Sequence, residues 1–493
     1  MKSVITLGAI KAATGHEAVT KYLEEEVLPS SDWNLVKVRR RTVRLEPPHA
    51  YCASYVVKLG RGELVYPEPD AEPVLEEPAA ASAPPDALPA DISAAVEEAE
   101  AELPQPSWTE ERELRLVARG VFDPEHWKTY REKVASALGE LGTDPMSGPA
   151  RPALFDDTQH AIWFFPADPN LTSLHRAADP VEMLRVFRNT QPELLGQPGR
   201  ITGVRVELAR YLPEIAAILR YDLETDPEAA ARTVFGKVQP FNRGAESHRI
   251  LTEIWRAAQR SEGKLVVPEP LGYHRDLGLY LQSSVAGKPI SSDRTKPEFL
   301  PGVTHAAEAL ATLHESSIPT QKKLPLDREV SRLARTLDQF ALVEPRAYFL
   351  LRELIVHLKE KLKSLPEEEW LPTHGDYKYD QLLHEDGKFS LIDFDFFAQA
   401  ETSFDLGKFC AYLVPSMPKS WEQSLAAEEG RKAFLDRYQE LRPQATLQRF
   451  PIYETVNLAG RAMTLMWTQM RGWEQAAEAL LVIAMERLKS RLP

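Results

Sequence analysis

The order of strand-like and helix-like segments in this 493-residue chain predicts an α+β protein built in two lobes. Between residues 201 and 287, strand-like runs surround a single helical stretch at 244–259. From about Ser291 onward nearly every segment has helical spacing. The exception is a strand–loop–strand stretch at 371–394, which carries the densest group of polar side chains. We therefore expect a small β-rich lobe at 201–287 and a helical lobe at 288–493.

The first 200 residues predict an additional N-terminal α/β cap region in front of these lobes. Residues 33–59 have the pattern of two strands joined by a turn at Glu46-Pro47-Pro48. Apolar residues recur at helical spacing in 123–141, which indicates a helix. We expect residues 1–65 to form a β-rich part of the cap and residues 107–200 to form an accessory α/β region.

An acidic segment at 66–106 separates these two parts, and we interpret it as a linker. It is rich in alanine and has seven prolines within the 23 residues 67–89. Between positions 62 and 111 there is no Lys or Arg, whereas Asp and Glu number 14. Such a composition buries too little apolar surface to offset the entropy lost on ordering. The net charge of −14 therefore belongs to the stretch 62–111, which contains this segment, and the rest of the chain is electrically balanced.

Composition also excludes several classes of protein. A balanced charge outside the linker argues against nucleic-acid binding, which needs a surplus of Lys and Arg on one face. The longest apolar stretch, 479–485, is far short of the ~20 residues needed to span a bilayer. Two cysteines, Cys52 and Cys410, are too few for a disulfide framework. We expect a cytoplasmic protein with neither a nucleic-acid nor a membrane partner; the sequence does not indicate its oligomeric state.

Three positions of one strand pair recur 166 residues later with the same residue types. They are Arg44, Pro47 and Tyr55 in the first pair, and Arg210, Pro213 and Tyr221 in the second. The match is compatible with a duplicated hairpin, but three positions are few, and we favour two hairpins that merely share their turn chemistry.

The chemistry-bearing groups concentrate in two neighbouring stretches. The first runs from His374-Gly375-Asp376 to Gln381, and the second is the apolar strand that ends in Asp393. Oxygen-bearing side chains of this kind suit Mg²⁺, which is usually held by one or two carboxylates together with substrate phosphates. Phosphoryl transfer also needs a carboxylate near the acceptor hydroxyl and a positive group near the transferred phosphate. Asp376 and Lys378 are the residues suited to those two tasks.

This pattern resembles the aminoglycoside phosphotransferase and choline kinase superfamily, a small-molecule branch of the protein-kinase-like fold. The resemblance consists of His-Gly-Asp, four residues, an amide side chain, and then an Ile-Asp-Phe strand. It extends over about 201–493. Gln381 stands where most members have Asn, which is similar to the maltokinase-like branch.

The resemblance implies roles for the residues of both stretches. Asp376 would accept or orient the proton of the attacking hydroxyl, while Gln381 and Asp393 would hold Mg²⁺ on the phosphates of ATP. Lys378 is similar to the protein-kinase lysine that contacts the γ-phosphate. His374 is included with the catalytic group, where it would orient the loop by hydrogen bonding.

Two further aspartates follow the second stretch. Asp405 matches the family residue that braces the catalytic loop. Asp395 stands where protein kinases have glycine after Asp-Phe, and it is either a supporting group or an extra metal ligand.

The resemblance also assigns the nucleotide-binding residues of the small lobe. Lys237 matches the strand lysine that pairs with the α- and β-phosphates, and Glu253 is its expected partner on the following helix, with Glu246 as the competitor. No glycine occurs between Gly203 and Gly236, so the turn at Pro213-Glu214-Ile215 would replace a glycine-rich loop. The backbone expected to pair with adenine belongs to Gln282, Ser283 and Val285.

The function implied is transfer of the γ-phosphate of ATP to a hydroxyl of a small, sugar-like molecule. Two alternatives remain open. One is an antibiotic kinase of the aminoglycoside type, although the helical lobe lacks the strongly acidic surface that a polycationic acceptor needs. The other is a non-catalytic scaffold that keeps only the fold.

Overall fold

The computed structural model of the protein describes most of the chain. The described residues are 16–46, 50–65, 107–190, 200–226, 232–263, 265–316, 318–385, 388–418, 420–468 and 472–489. The fold is α+β with a β-rich N-terminal half and a helical C-terminal half, which confirms the predicted class. The predicted acidic linker at 66–106 lies outside the described residues.

The N-terminal domain is a five-stranded antiparallel sheet with the strand order β1-β2-β3-β5-β4. Helix α1 (His16–Tyr22) precedes the sheet, and helix α2 (Pro124–Ala137) connects β3 to β4. The strands are β1 (Asn34–Glu46), β2 (Ala50–Val65), β3 (Ser107–Val121), β4 (Ala153–Phe155) and β5 (His160–Phe164).

The two predicted parts of the cap, 1–65 and 107–200, therefore share one sheet. Strands β2 and β3 pair from Ala50↔Val121 to Val65↔Ser107. The acidic segment joins two hydrogen-bonded strands and does not connect two separate units. Sequence patterns alone do not reveal this pairing, because the partners are separated by a stretch with no strand signal.

A second five-stranded antiparallel sheet follows the short helices α3 (Leu174–Ala177) and α4 (Pro180–Thr190). Its strand order is β6-β7-β8-β10-β9, and helix α5 (Phe241–Gln259) connects β8 to β9. The strands are β6 (Arg200–Leu212), β7 (Ala216–Asp226), β8 (Arg232–Val238), β9 (Pro270–His274) and β10 (Leu279–Ser283).

The two sheets have the same topology and, at their centre, the same register. Along the chain, a helix connects the third strand of each sheet to the fourth. Within the sheet, the fifth strand lies between the third and the fourth and is hydrogen-bonded to both. Two equivalent cross-strand rows are Arg44–Cys52–Arg119 in the first sheet and Arg210–Ile218–Lys237 in the second. The spacing of 166 residues from Arg44 to Arg210 thus reflects a repeated sheet and favours the duplicated-hairpin interpretation.

The C-terminal lobe is helical apart from short strands around the polar stretches. Strands β11 (Lys288–Pro289), β13 (Leu382–Glu385) and β14 (Lys388–Leu391) form one small sheet, and β12 (Trp370–Thr373) pairs with β15 (Ala398–Glu401). The helices are α6 (Phe299–Glu315), α7 (Leu326–Val343), α8 (Pro345–Ser364), α9 (Ser403–Leu413), α10 (Trp421–Leu441), α11 (Phe450–Thr468) and α12 (Trp473–Lys489).

Two apolar cores support this lobe and position its polar loops. One contains side chains from α7, α8, α11 and α12, and the other joins α5, α6, α9 and α10 to the loop after β12. The second core fixes that loop from below through Tyr377, whose hydroxyl donates to the Ala306 carbonyl at 2.6 Å. Across the described residues, every helix is too short or too polar to cross a bilayer.

The pairing of β2 with β3 generates a first prediction. Replacing residues 66–106 with a short Gly-Ser turn should leave the N-terminal sheet intact, because Val65 and Ser107 are already cross-strand partners. We expect the melting temperature of the transition that includes this sheet to change by no more than about 3 °C, which corresponds to about 1 kcal/mol in a folding unit of about 150–250 residues. A larger loss in differential scanning calorimetry would contradict the linker interpretation.

Candidate active site

The loop that follows β12 carries His374, Gly375 and Asp376 in a tight turn. Gly375 has a φ of +83°, a left-handed conformation that glycine adopts without strain. A β-carbon at this position would also clash with the carbonyl oxygen of Phe396. The turn therefore requires glycine, and it brings Asp376 next to the segment that contains Phe396.

Asp405, at the start of α9, holds this loop from beneath, as the sequence predicted. Its carboxylate accepts hydrogen bonds from the backbone N–H groups of His374 at 2.7 Å and Gly375 at 3.0 Å. Burial raises the pKa of Asp405 to about 7, against the opposing effect of those two bonds. The carboxylate is fully enclosed, so it positions the loop and does not reach a substrate.

His374 connects the loop to the strand that delivers Asp393. Its Nε2–H donates to the Ile392 carbonyl at 2.9 Å, and its Nδ1 accepts from the backbone N–H of Asp376 at 3.2 Å. Burial lowers the pKa of the imidazole, so the ring is neutral. Because both ring nitrogens are engaged by backbone groups, His374 is a positioning residue and not an acid–base catalyst. The structure corrects its inclusion in the catalytic group on this point.

Asp376 lies between two lysines. The Lys408 Nζ is 2.6 Å from its Oδ1, and the Lys378 Nζ is 3.3 Å from its Oδ2. Burial alone would raise the pKa of Asp376, but the two positive charges outweigh it and hold that pKa below the ordinary value. The carboxylate is thus ionised at neutral pH and is able to accept a proton.

Lys378 has a second carboxylate neighbour, Asp380, at 3.6 Å. Burial raises the pKa of Asp380 to about 6, with Lys378 acting in the opposite direction. Neither carboxylate oxygen of Asp380 has a hydrogen-bond partner among the described residues. Lys378 is therefore positioned between two acidic groups on the catalytic loop.

The second acidic centre lies where the two lobes meet. Asp393, with a φ of +62°, directs its Oδ1 to the Nζ of Lys237 at 2.9 Å. The same ammonium is 2.7 Å from the Oδ2 of Asp395. Burial opposes charge on Lys237, but the two carboxylates reverse that effect and raise its pKa well above the usual value. Asp395 thus supports Lys237, which was one of the two roles left open for it.

The expected pairing of Lys237 with Glu253 is wrong, and so is the alternative with Glu246. Within the described chain, Glu253 pairs with Arg256 and Glu246 pairs with Arg249, each one turn away on α5. The helix reaches Lys237 by another route. The Ser247 hydroxyl donates to Gln239 at 3.1 Å, and the Gln239 amide donates to Asp395 at 2.8 Å.

Gln381 and Asp393 fit a magnesium ion that is bound together with phosphates. The backbone N–H of Ile392 donates to the Gln381 carbonyl at 3.1 Å, which places Gln381, just before β13, beside the segment after β14 that carries Asp393. No group of three or more His, Cys, Asp or Glu side chains is arranged to hold a metal in the described residues. Magnesium bound through a nucleotide needs only one or two protein carboxylates, so this donor set is sufficient.

The predicted adenine-binding backbone is partly engaged within the sheet. Gln282 lies in β10 between Phe235 and Pro270. The Ser283 N–H already donates to the Glu269 carbonyl at 2.9 Å, so it does not point to a base. Val285 follows the end of β10 and remains a candidate from the predicted set.

The turn at Pro213-Glu214-Ile215, predicted to replace a glycine-rich loop, has no backbone donor left for phosphate. Pro213 has no N–H, the Glu214 N–H donates to Asp168 at 2.7 Å, and the Ile215 N–H donates to the Leu212 carbonyl at 3.0 Å. The expectation that this turn contacts phosphate through its backbone is therefore wrong. The N-terminal domain, which supplies Asp168, holds the turn.

Two residues near the acidic groups carry no recognisable sequence motif. Lys408 lies one helical turn after Asp405, and that spacing is its only sequence signal. Arg210, on β6, interacts electrostatically with Asp393, Asp380 and Asp376. Its only signal was the spacing of 166 residues from Arg44.

Comparison with known proteins places these residues in a family context. A family model described as "Phosphotransferase enzyme family" matches residues 238–444, somewhat less than half of the chain. This segment includes Asp376, Gln381 and Asp393, and it is similar in sequence to that family. The comparison with curated proteins found no match.

Several solved structures resemble the chain at low identity. A choline/ethanolamine kinase family protein from Mesorhizobium loti is 15% identical, with 63% of this chain and 95% of that chain covered and a TM-score of 0.43. Choline kinase from Cryptosporidium parvum is 12% identical, with 62% and 94% covered and a TM-score of 0.46. An aminoglycoside phosphotransferase in ternary complex with ADP and hygromycin B is 12% identical, with 62% and 99% covered and a TM-score of 0.42.

The geometry of Gly375 generates a second prediction. Gly375→Ala should lower the free energy of unfolding by about 2–4 kcal/mol, since it combines a left-handed backbone with a clash against the Phe396 carbonyl. The measurement is chemical denaturation. Gly139→Ala is the matched control, because a β-carbon there meets nothing within 4 Å and its cost should stay below about 0.5 kcal/mol. Equal stability of the two variants would contradict the required turn.

Proposed function

We propose that the protein is an ATP- and magnesium-dependent kinase that transfers the γ-phosphate to a hydroxyl of a small, uncharged molecule, a sugar or a sugar-like compound. One observation carries the proposal. The carboxylates of Asp376 and Asp393 occupy neighbouring segments joined through His374, and Lys237 from the other lobe is 2.9 Å from Asp393. The match of residues 238–444 to a phosphotransferase family supports the same chemistry.

Asp376 is the proton acceptor in this proposal. Its low pKa keeps it ionised, and its position on a loop braced by Asp405 fixes the direction of the carboxylate. The attacking hydroxyl would donate its proton to Asp376 as its oxygen bonds to the γ-phosphorus, while the bond from that phosphorus to the bridging oxygen breaks and ADP leaves. Lys378, 3.3 Å from the same carboxylate, is close enough to contact the transferred phosphoryl group.

Lys237 and Asp393 form the nucleotide half of the site. Lys237 would exchange its contacts with the carboxylates of Asp393 and Asp395 for oxygens of the α- and β-phosphates. That movement would leave Asp393, with Gln381 beside it, facing the nucleotide. Gln381 and Asp393 would hold magnesium there, and the ion would supply positive charge to the phosphates.

The surroundings of Asp376 favour an acceptor without positive charge. Lys408 and Lys378 lie within 3.3 Å of its carboxylate, and Lys408 and Arg461 also lie over the face of Tyr412. The two lysines offset the charges of Asp376 and Asp380, so the group offers no surplus of negative charge to a polycationic aminoglycoside. A neutral polyol does not need such a surplus, which supports a sugar over the antibiotic alternative. Gln381, as in maltokinase-like enzymes, points in the same direction by resemblance alone.

A phosphorylation screen tests the function directly. Purified protein with labelled Mg·ATP is offered disaccharides, monosaccharides, choline and aminoglycosides, and transfer to a sugar is the expected result. Transfer only to aminoglycosides would favour the antibiotic kinase. A protein that binds no Mg-nucleotide at millimolar concentration would support the non-catalytic scaffold.

Replacing Asp376 and replacing Asp393 should impair different properties of the protein, which gives a third prediction. Asp376→Asn should lower kcat by about 10²–10⁴-fold while Mg·ADP binding is retained, because a proton acceptor does not hold the nucleotide. Asp393→Asn should abolish the magnesium-dependent part of nucleotide binding. Activity assays and calorimetric titration distinguish the two.

Asp436→Asn is the control for these variants. Asp436 is an exposed carboxylate on α10 that pairs with Lys432, and its loss should leave both measurements unchanged. Full activity of Asp376→Asn would remove Asp376 from the chemistry and with it the proposed mechanism.

Lys408 generates a fourth prediction through its contact with Asp376. Lys408→Met removes one of the two charges that lower the Asp376 pKa, so that pKa should rise. Because the base is active only when ionised, the acidic limb of the kcat/KM profile should move to higher pH. The profile is measured between pH 5 and 9 and compared with that of the unmodified protein.

Lys432→Met serves as the matched lysine control, since Lys432 is exposed on α10 and distant from the loop. Its profile should coincide with that of the unmodified protein. An unshifted acidic limb in Lys408→Met would show that Asp376 does not depend on Lys408 for its charge.

A further inference from the structure

We propose that Arg210 binds the phosphate groups of the nucleotide together with Lys237, and that its side chain performs the task of the glycine-rich loop that this chain lacks. The inference rests on the proposed function, because it assigns a further phosphate-binding residue to the same site. Three independent features support it, two in the small lobe and one in the N-terminal sheet.

The first feature is the loss of backbone donors at the tip of the β6–β7 hairpin. Phosphate-binding loops present free N–H groups to the phosphate oxygens. Here Pro213 has no N–H, and those of Glu214 and Ile215 are already bonded to Asp168 and Leu212. The hairpin tip therefore cannot supply the positive field, and a side chain has to do so.

The second feature is the direction of the Arg210 side chain. Arg210 pairs with Ile218, and Ile218 pairs with Lys237, so the three residues form one cross-strand row. Residues opposite each other in neighbouring strands point to the same face of a sheet. Arg210 therefore projects from the same face as Lys237, at a backbone separation of about 10 Å given the usual strand spacing.

Acidic side chains of the helical lobe interact with Arg210, which is consistent with the direction of its side chain. Asp393, Asp380 and Asp376 all act electrostatically on Arg210, as expected for a side chain on the face that carries Lys237. Burial lowers the pKa of Arg210 to about 10, and the side chain is still cationic at neutral pH. Arg210 would therefore be available to phosphates that reach from Lys237 toward Asp376.

The third feature comes from the N-terminal sheet, where the equivalent row already binds anions. Arg44 and Arg119 occupy the positions of Arg210 and Lys237 in that sheet. Both contact Glu46, with nitrogen–oxygen distances of 2.8 Å for Arg44 and 2.5 Å for Arg119. Both also approach the Oε2 of Glu214, at 3.9 Å and 2.5 Å. Two cations placed in this row thus converge on a shared oxygen anion in the same chain.

The test compares ligands that differ in their phosphates. The unmodified protein, Arg210→Gln and Arg210→Lys are titrated calorimetrically with the magnesium complex of a non-hydrolysable ATP analogue and with adenosine. Arg210→Gln should lower the affinity for the analogue by about 10- to 100-fold, as expected for the loss of a charge-assisted contact. It should change the affinity for adenosine by less than about twofold. The affinity of Arg210→Lys for the analogue should lie between those of the unmodified protein and Arg210→Gln, because lysine keeps the charge but lacks the planar guanidinium group.

Arg205→Gln is the matched control, since Arg205 is an exposed arginine on the same strand and its row partner is Asp222. It should bind both ligands like the unmodified protein. Undiminished analogue binding by folded Arg210→Gln, with folding checked by circular dichroism, overturns the inference. An equal loss of analogue and adenosine also overturns it, because that pattern indicates a packing role.

Different binding results would exclude the role of Arg210 and the kinase function. If the unmodified protein binds neither ligand, the kinase proposal fails, and the role of Arg210 fails with it. If the unmodified protein binds the analogue and Arg210→Gln and Arg210→Lys bind it equally well, only the role of Arg210 is excluded. In that case Lys237 would be the phosphate-binding side chain without a cationic row partner.

Discussion

The buried ammonium of Lys237 is the constraint on which the arrangement of the site depends. A lysine that is only 9% exposed needs compensating charge, since an unpaired buried ion is very costly. Asp393 and Asp395 provide that charge from the opposite lobe, so the pairing joins the β6–β10 sheet to the helical lobe. The segment that carries them is joined through His374 to the loop that carries Asp376. Both acidic centres are thereby fixed relative to one strand of the small lobe.

The candidate site residues that were predicted from the sequence and lie together in the structure belong to one continuous motif. His374, Asp376, Gln381 and Asp393 lie within 20 positions, where short loops and strands leave few alternative arrangements. Asp405 was placed correctly under the loop because it follows at a characteristic distance. Local spacing brings these residues close together, and groups from distant parts of the chain, such as Asp405 on α9, hold the loop in place.

The predictions that failed depended on long-range geometry. Glu253 has a reasonable separation from Lys237 along the chain, but a separation does not determine which side of α5 a glutamate occupies. Lys408 was missed because its contact with Asp376 depends on the packing of α9 against the catalytic loop. The repeat was ambiguous in sequence, since three matching residues are weak evidence. It became clear only when Arg44 and Arg210 were found at the same register of two sheets with the same strand order.

The fixed turn at Pro213-Glu214-Ile215 has a kinetic consequence. In many phosphotransferases a flexible flap closes over the nucleotide, and its opening limits the release of product. Here the Glu214 N–H is bonded to Asp168, and the Glu214 carboxylate is bonded to Tyr130 and Arg119 of the N-terminal domain. In the proposed kinase this turn would therefore stay fixed instead of opening and closing as such a flap does. Release of spent nucleotide would then need a different movement, such as separation of the two lobes.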